Sequence, residues 1–269
     1  MRRRAPCPTF GFWLLAFGLS GAASCARPVF VLPTGAGVPA PEARAAWTSA
    51  SAACRDVRTL TAELQLSGRA GASGKIKGRA IAGLTAIGQV RLEMPAPFGR
   101  AIFILAGSAD RATLVTRDNH VLTAPAASIL EALTGLSLSP SALVSLLTGC
   151  GSREDPAGEP LRHGNLVAFG RLGNRRYLSP GAAGSWKVVA AELPGWLVDY
   201  KTGSQSWPDE VRVTSTTTQQ PAISLTIRQS QVELNTNIPP AAFTVTVPAG
   251  AVPITLEELR ASGPLGDRK

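Results

Sequence analysis

From Thr59 onward the polarity of the chain alternates with a period of two, and this rhythm limits the fold more than any other feature. Within Thr59–Gly68, Leu60, Ala62, Leu64 and Leu66 share one parity, and Thr59, Thr61, Glu63, Gln65 and Ser67 share the other. Successive side chains of a strand point to opposite faces, so the segment predicts a strand with one face buried and one wet. Residues 75–82 repeat the pattern, with Lys75, Lys77 and Arg79 set against Ile76, Gly78, Ala80 and Ala82. Residues 87–94 place Val90, Leu92 and Met94 against Gln89, Arg91 and Glu93. Residues 101–106 are apolar on both parities, and 113–116 and 120–123 predict short strands around Asp118-Asn119. The second half adds runs at 165–170, 174–178, 185–192, 196–201, 209–217, 222–229 and 231–235, and Phe243, Val245 and Val247 extend the series. The chain is 45% hydrophobic and 17% charged with 27 Gly and 21 Pro, which is too apolar for a disordered chain and too interrupted for a helical bundle.

Helical spacing occurs in few places. Residues 42–57 carry Ala46, Ser49, Ala50 and Ala53 at such spacing. Ile129, Leu130 and Leu133 mark a second helix over 125–134 that Gly135 would stop. Ser139-Pro140 opens a third, with Pro at its first turn, Leu143, Val144, Leu146 and Leu147 along it, and Thr148-Gly149 at its end. Residues 151–164 read as a loop and 254–262 as a short terminal helix. The order predicts a mainly β, α+β fold: one antiparallel sheet with an inserted helical pair, forming a single domain over 42–262 and leaving 263–269 as a tail.

The first 24 residues read as a signal peptide. Arg2, Arg3 and Arg4 precede an apolar run, Phe10–Leu19, whose ten residues are too few to cross a hydrocarbon layer of roughly 30 Å as a helix. Small residues then lead to Cys25, a pattern similar to the lipobox of bacterial lipoproteins, in which the cysteine becomes the acylated first residue. Ala22 stands where Leu is usual, which leaves ordinary signal-peptide cleavage as the other reading. Residues 25–41 hold four Pro and no helical period, and are expected to be a flexible tether behind a lipidated Cys25. Removing residues 1–24 takes away three Arg and no acid, leaving 24 basic and 18 acidic residues, a net charge of +6. That charge is dispersed, with no basic run interleaved with aromatics, so nucleic acid is not an expected partner. A mildly basic protein held at an anionic membrane is electrostatically reasonable.

Of four cysteines, Cys7 leaves with the signal peptide and Cys25 is the acylation candidate. Cys54 and Cys150 remain, in a compartment that permits disulfides; a bridge and a pair of buried thiols are both open readings. Catalytic chemistry is hard to find. His120 and His163 lie 43 residues apart with no ligand spacing around them, so no metal and no cofactor is expected. The Gly-rich GRAGASGK (68–75) fails as a phosphate loop: Arg69 replaces the first Gly, and Ile76 replaces the hydroxyl residue that would bind magnesium. No nucleophile elbow is present. No enzymatic activity is expected.

Several segments nevertheless resemble a known family. LTAELQLSGRA (60–70), RLEMPAPFGRAIFIL (91–105), EALTGLSLSPSALVSLLTGC (131–150) and RYLSPGAAGSWKVVAAE (176–192) are similar to the bacterial outer-membrane lipoprotein receptor LolB and, more broadly, to the LolA/LolB fold. The matching stretch runs from about Ala45 to Asn235. It departs from the family where Ser137 and Ser139 replace common prolines, and IPPAAFTVTVPAGAVPITLEEL (238–259) looks more like related uncharacterised lipoproteins. The resemblance implies an open antiparallel β half-barrel whose concave apolar face is covered by short helices. It implies an outer-membrane lipoprotein, anchored by lipid and facing the periplasm, that binds acyl chains and helps to insert lipoproteins or lipids into the outer membrane. Its partners would be acylated lipoproteins or lipid and a periplasmic LolA-like carrier, and a monomer is expected. An envelope-stress sensor or assembly scaffold built on the same fold is the alternative.

Two groups of site residues follow. Leu130, Leu133, Leu143 and Leu147 on the two inserted helices are expected to face acyl chains as a lid; a filled core is the other reading of the same leucines. Pro97-Phe98-Gly99 sits where the family has Pro-Leu-Gly with a protruding Leu implicated in membrane targeting. Phe98 is accordingly read either as a membrane-inserting tip, with Arg100 beside it to meet lipid phosphate, or as a plug folded back onto the sheet.

Overall fold

The structure is a computed structural model that describes residues 30–70, 74–150, 157–203, 205–216 and 223–262. The expected signal peptide (1–24), Cys25 and the 263–269 tail lie outside the described residues.

The alternating segments become strands: β1 (Val38–Pro39), β2 (Thr59–Ala70), β3 (Gly74–Thr85), β4 (Gln89–Met94), β5 (Phe103–Ser108), β6 (Ala112–Thr116) and β7 (His120–Ala124) come first. After the helical pair come β8 (Leu161–His163), β9 (Leu166–Arg171), β10 (Asn174–Pro180), β11 (Trp186–Leu193), β12 (Trp196–Thr202), β13 (Pro208–Ser215), β14 (Ser224–Leu234) and β15 (Val252–Pro253). They form one open sheet in the order β1-β8-β9-β10-β11-β12-β13-β14-β2-β3-β4-β5-β6-β7-β15. Every neighbouring pair is antiparallel except β15, which runs parallel to β7. The halves meet where β14 pairs with β2, from Ser224↔Arg69 to Leu234↔Leu60.

Parity decides which face is covered. Leu60, Ala62 and Leu64 on β2, Ala80, Ala82 and Leu84 on β3, and Val90, Leu92 and Met94 on β4 are buried, while the intervening polar residues reach water. One apolar cluster runs from Leu122 on β7 across the sheet to Val167 on β9, joined through helical residues, so the sheet curves around its helices. These are α1 (Arg44–Arg55), α2 (Ala126–Thr134), α3 (Pro140–Thr148) and α4 (Leu256–Ser262). None of the described helices is long and apolar enough to cross a membrane. Gly135 and Gly149 close α2 and α3 in the left-handed conformation, at φ 74° and 70°, which a side chain with Cβ would disfavour. Ser139 caps α3 by accepting from the Ala142 N–H at 3.2 Å.

Several local expectations differ from the structure. The strand expected through Phe243, Val245 and Val247 is absent: Phe243 ends a 3-10 turn and is buried, and the segment after it is irregular. The runs 222–229 and 231–235 form one strand, β14, with a register shift between Ser230 and Glu233 and Gln231 at φ 51°. Within the 151–164 loop, Leu161–His163 forms β8 and pairs with both β9 and β1. The segment expected to be a flexible tether is laid against the sheet from Phe30 onward. Phe30 packs on Tyr177 with ring centroids 5.3 Å apart, Leu32 joins the same outer-face cluster, and Val38 and Pro39 pair with Arg162 and Leu161. Gly37 lies so close to the His163 ring that a Cβ would sit 2.7 Å from it.

On the outer face Glu210 accepts from Arg228 at 2.9 Å and from Arg212 at 3.3 Å. Burial alone would raise the Glu210 pKa, but the hydrogen bond and charge of Arg228, with Arg212 behind them, hold it below the ordinary carboxylate value.

Candidate binding cleft

The two sides of the concave face hold different amounts of free space. Beneath α2 and α3, Leu130, Leu133 and Leu143 meet Leu64, Leu92 and Leu225 around an apolar void of only about 60 Å³. Leu147 is fully buried and borders neither this void nor the larger one. Its carbonyl accepts from Gln229 Nε2 at 2.7 Å. The four leucines expected to line an acyl-chain cavity are therefore packed against the sheet, and 60 Å³ is well below the roughly 300–1,000 Å³ of small-molecule sites.

The larger space lies to one side, a cleft of about 680 Å³ between α1, the α2–α3 connection and strands β10–β12. α1 contributes Trp47, Ser51, Cys54 and Arg55; the connection and α3 contribute Leu138, Ser141, Ala142 and Ser145; the sheet contributes Arg176, Ala191, Leu193, Trp196 and Tyr200. Small side chains explain the room. Ala142 and Ala191 occupy positions where leucines would fill it, and Trp47 leans instead on Phe169, with ring centroids 5.7 Å apart. Cys54 at the end of α1 and Cys150 just past α3 are joined by a disulfide with a Cα–Cα distance of 5.5 Å, and both residues border the cleft.

The sheet wall is electrostatically unusual. Tyr200 is buried, and its phenol is pushed up to about 12 by that burial, with the Arg176 charge pulling the other way; it stays a neutral hydroxyl at physiological pH. Burial also lowers the Arg176 pKa, although a guanidinium keeps its charge at neutral pH. Tyr177, the next residue, faces the opposite side of the sheet, where its hydroxyl donates to Glu192 Oε2 at 3.2 Å.

The segment Met94–Phe103 turns outward at one end of the sheet. Phe98 is 91% exposed, so it is not a plug on the sheet, and Gly99 beside it adopts φ 79°. Arg100 donates to Asn119 Oδ1 at 2.7 Å, which ties this turn to the β6–β7 turn.

Sequence reasoning missed Arg176, Tyr200 and the two tryptophans of the cleft. A signal for Arg176 was present. Arg175 and Arg176 are consecutive within a strand, so alternation sends one of them to the covered face. A second was the spacing of Ser137, Ser141 and Ser145, four apart beside the otherwise apolar face of α3.

No sequence model of a protein family matches the chain, and no curated protein matches it in sequence. Solved structures give distant likenesses. One, described as an outer membrane lipoprotein-sorting protein domain from Vibrio parahaemolyticus, has 9% identity and a TM-score of 0.42 over 75% of this chain and 97% of that one. A DUF1329 family protein from Desulfovibrio piger has 10% identity and a TM-score of 0.43 over 76% and 98%. LprF from Mycobacterium bovis has 12% identity and a TM-score of 0.32 over 80% and 100%. At such identities and scores these likenesses assign neither family nor ligand; the architecture of an open antiparallel sheet covered by short helices rests on this chain's own strand register.

Proposed function

We propose that this chain is an envelope lipoprotein, anchored through Cys25 at the periplasmic face of the outer membrane, which holds acyl chains in the cleft beside α1 and passes acylated proteins or lipids to the membrane. The observation that carries the reading is the 680 Å³ cleft: it has the size of a small-molecule site, with Trp47, Leu138, Leu193 and Trp196 as apolar walls. Phe98 supports delivery: it is a large apolar side chain exposed on a turn, and its ring would gain free energy on leaving water for a lipid layer. Cargo would come from a periplasmic LolA-like carrier. Signal-peptide features and the lipobox-like run before Cys25 support the anchoring, and two acyl chains would make it stable where one is marginal.

The test is native mass spectrometry of the full chain recovered from bacterial membranes. Co-purified lipid or lipopeptide, lost when Ala142→Leu narrows the cleft, is the expected result; a chain that carries no lipid and takes up none from added vesicles defeats the reading and favours the scaffold alternative. Phe98→Glu should leave the thermal midpoint unchanged and lower recovery of a Cys25→Ala chain with floated vesicles. Equal flotation of the two would remove Phe98 from the delivery step.

A further inference from the structure

The cleft contains a cation that its walls do not neutralise. Arg176 stands in one row with Phe169 on β9 and Ala191 on β11, its register partners, and its side chain enters the cleft. Nη1 donates to Asn174 Oδ1 and to the Arg175 carbonyl, each at 3.2 Å. Both acceptors are neutral, so they satisfy hydrogens without offsetting charge. Nε is buried and has no hydrogen-bond partner. An arginine that only covered apolar surface with its stem would carry its head to water; here part of the head is shut away from it.

The surroundings point to what is missing. Arg55, on the last turn of α1, also borders the cleft, where its Nη2 donates to Ser51 Oγ at 3.4 Å. Among the described residues lining the cleft there is no Asp or Glu. Ser137, Ser141 and Ser145 add hydroxyls along the helical wall, and Tyr200 lines the sheet wall beside Arg176. A partly buried guanidinium without an anion is costly, and its planar fork suits the oxygens of a carboxylate or phosphate. The same cleft offers indole and leucine surface to a chain.

We infer that the cleft selects an anionic amphiphile: an apolar chain lies against Trp47, Leu138, Leu193 and Trp196, and a carboxylate or phosphate oxyanion is held by Arg176. The inference rests on the reading of this cleft as an acyl-chain site and adds the charge of the ligand to it. A neutral lipid would fill the apolar walls and leave Arg176 unpaired, so discrimination between charged and neutral ligands of equal chain length is the distinguishing property.

The experiment titrates the full chain with dodecanoate, dodecyl phosphate and dodecanol below their micellar concentrations, read by the fluorescence of Trp47 and Trp196. Wild type should bind at least one of the two anions ten-fold or more tightly than dodecanol. Whichever anion binds tighter identifies a fatty-acid carboxylate or a lipid phosphate as the natural group. Arg176→Gln should erase the preference while dodecanol binding stays unchanged, which also shows that the variant is folded. Arg176→Lys should keep part of it. If wild type binds all three equally, or Arg176→Gln keeps the preference, the anion inference is overturned while the acyl-chain reading stands. If none of the three binds, the acyl-chain reading fails and the inference fails with it.

Discussion

The part of the sheet around β14 and β2–β5 and the part around β10–β12 are covered by helices from the same chain, yet they are filled to different degrees. Under α2 and α3, leucines from helix and sheet interdigitate and leave about 60 Å³; beside α1, alanines and serines leave about 680 Å³. Protein interiors are normally packed as densely as organic crystals, and a void forfeits dispersion contacts around its lining. A cleft of the larger size therefore needs support from elsewhere. On the proposed reading, the leucine-filled side and the disulfide joining α1 to the residue just past α3 would provide it, leaving the cleft to accept a ligand. The sequence resemblance points to Leu130, Leu133, Leu143 and Leu147 as a lid over an acyl cavity; in the structure the first three border only the small void and Leu147 is buried apart from both spaces.

The joint gives the largest expected effect. The bridge spans a sequence separation of 96, and closing a loop of that length constrains the unfolded chain by about 4–5 kcal/mol in the chain-entropy model. Cys54→Ser combined with Cys150→Ser should lower the urea midpoint accordingly and weaken ligand binding, because α1 and α3 both line the cleft. A stability change below about 1 kcal/mol would show that the filled half holds the domain together unaided.

Next come the two halves themselves, tested by opposite changes of volume. Leu133 is 1% exposed, and Leu133→Ala should cost about 2–5 kcal/mol by chemical denaturation without altering ligand affinity. Ala142→Leu adds atoms where space exists, so overpacking is avoided and stability should move by about 1 kcal/mol or less, while dodecanoate or dodecyl phosphate affinity falls at least ten-fold. The contrast between the halves collapses if Ala142→Leu proves as destabilising as Leu133→Ala.

The smallest effect lies on the outer face, away from both halves' interiors. Because Glu210 has a lowered pKa in the folded state, its contribution is complete above the unfolded carboxylate value of about 4.5 and fades as pH falls through the folded value. Glu210→Gln should cost under about 1 kcal/mol at pH 7 and nothing measurable well below pH 4. A penalty that persists undiminished in acid would trace it to lost hydrogen-bond geometry rather than to charge.

Much of the architecture was legible because parity is a strong signal. Leu60, Leu64, Val90 and Leu92 declare a covered face, and the stop at Gly135 and the cap at Ser139 follow from local chemistry. What escaped is what depends on partners distant in sequence. β1 and β15 are two-residue strands that exist only because β8 and β7 offer an edge. Phe243 shares the parity of Val245 and Val247, but a buried position on a 3-10 turn satisfies it without a strand. Phe98 was visible as an apolar residue on a Pro-Gly turn, and only its surroundings decide between plug and tip. The cleft was the least legible feature. Free volume comes from what faces Ala142 and Ala191 across the domain, and alanine looks the same in a sequence whether its neighbour fills the gap or leaves it.

The docking of Phe30 against Tyr177 has a mechanical consequence. If Cys25 carries the lipid, five residue steps separate the bilayer surface from the first docked side chain, and a fully extended chain covers at most about 18 Å over that span. The domain would then be moored rather than swung on a long leash. Its outer face at β9–β11 would ride close to the lipid heads, with a limited radius of turn and a high local concentration of membrane around it. Lengthening residues 26–29 with Gly-Ser repeats would slacken the mooring, and transfer to the home membrane would then slow in favour of membranes farther away.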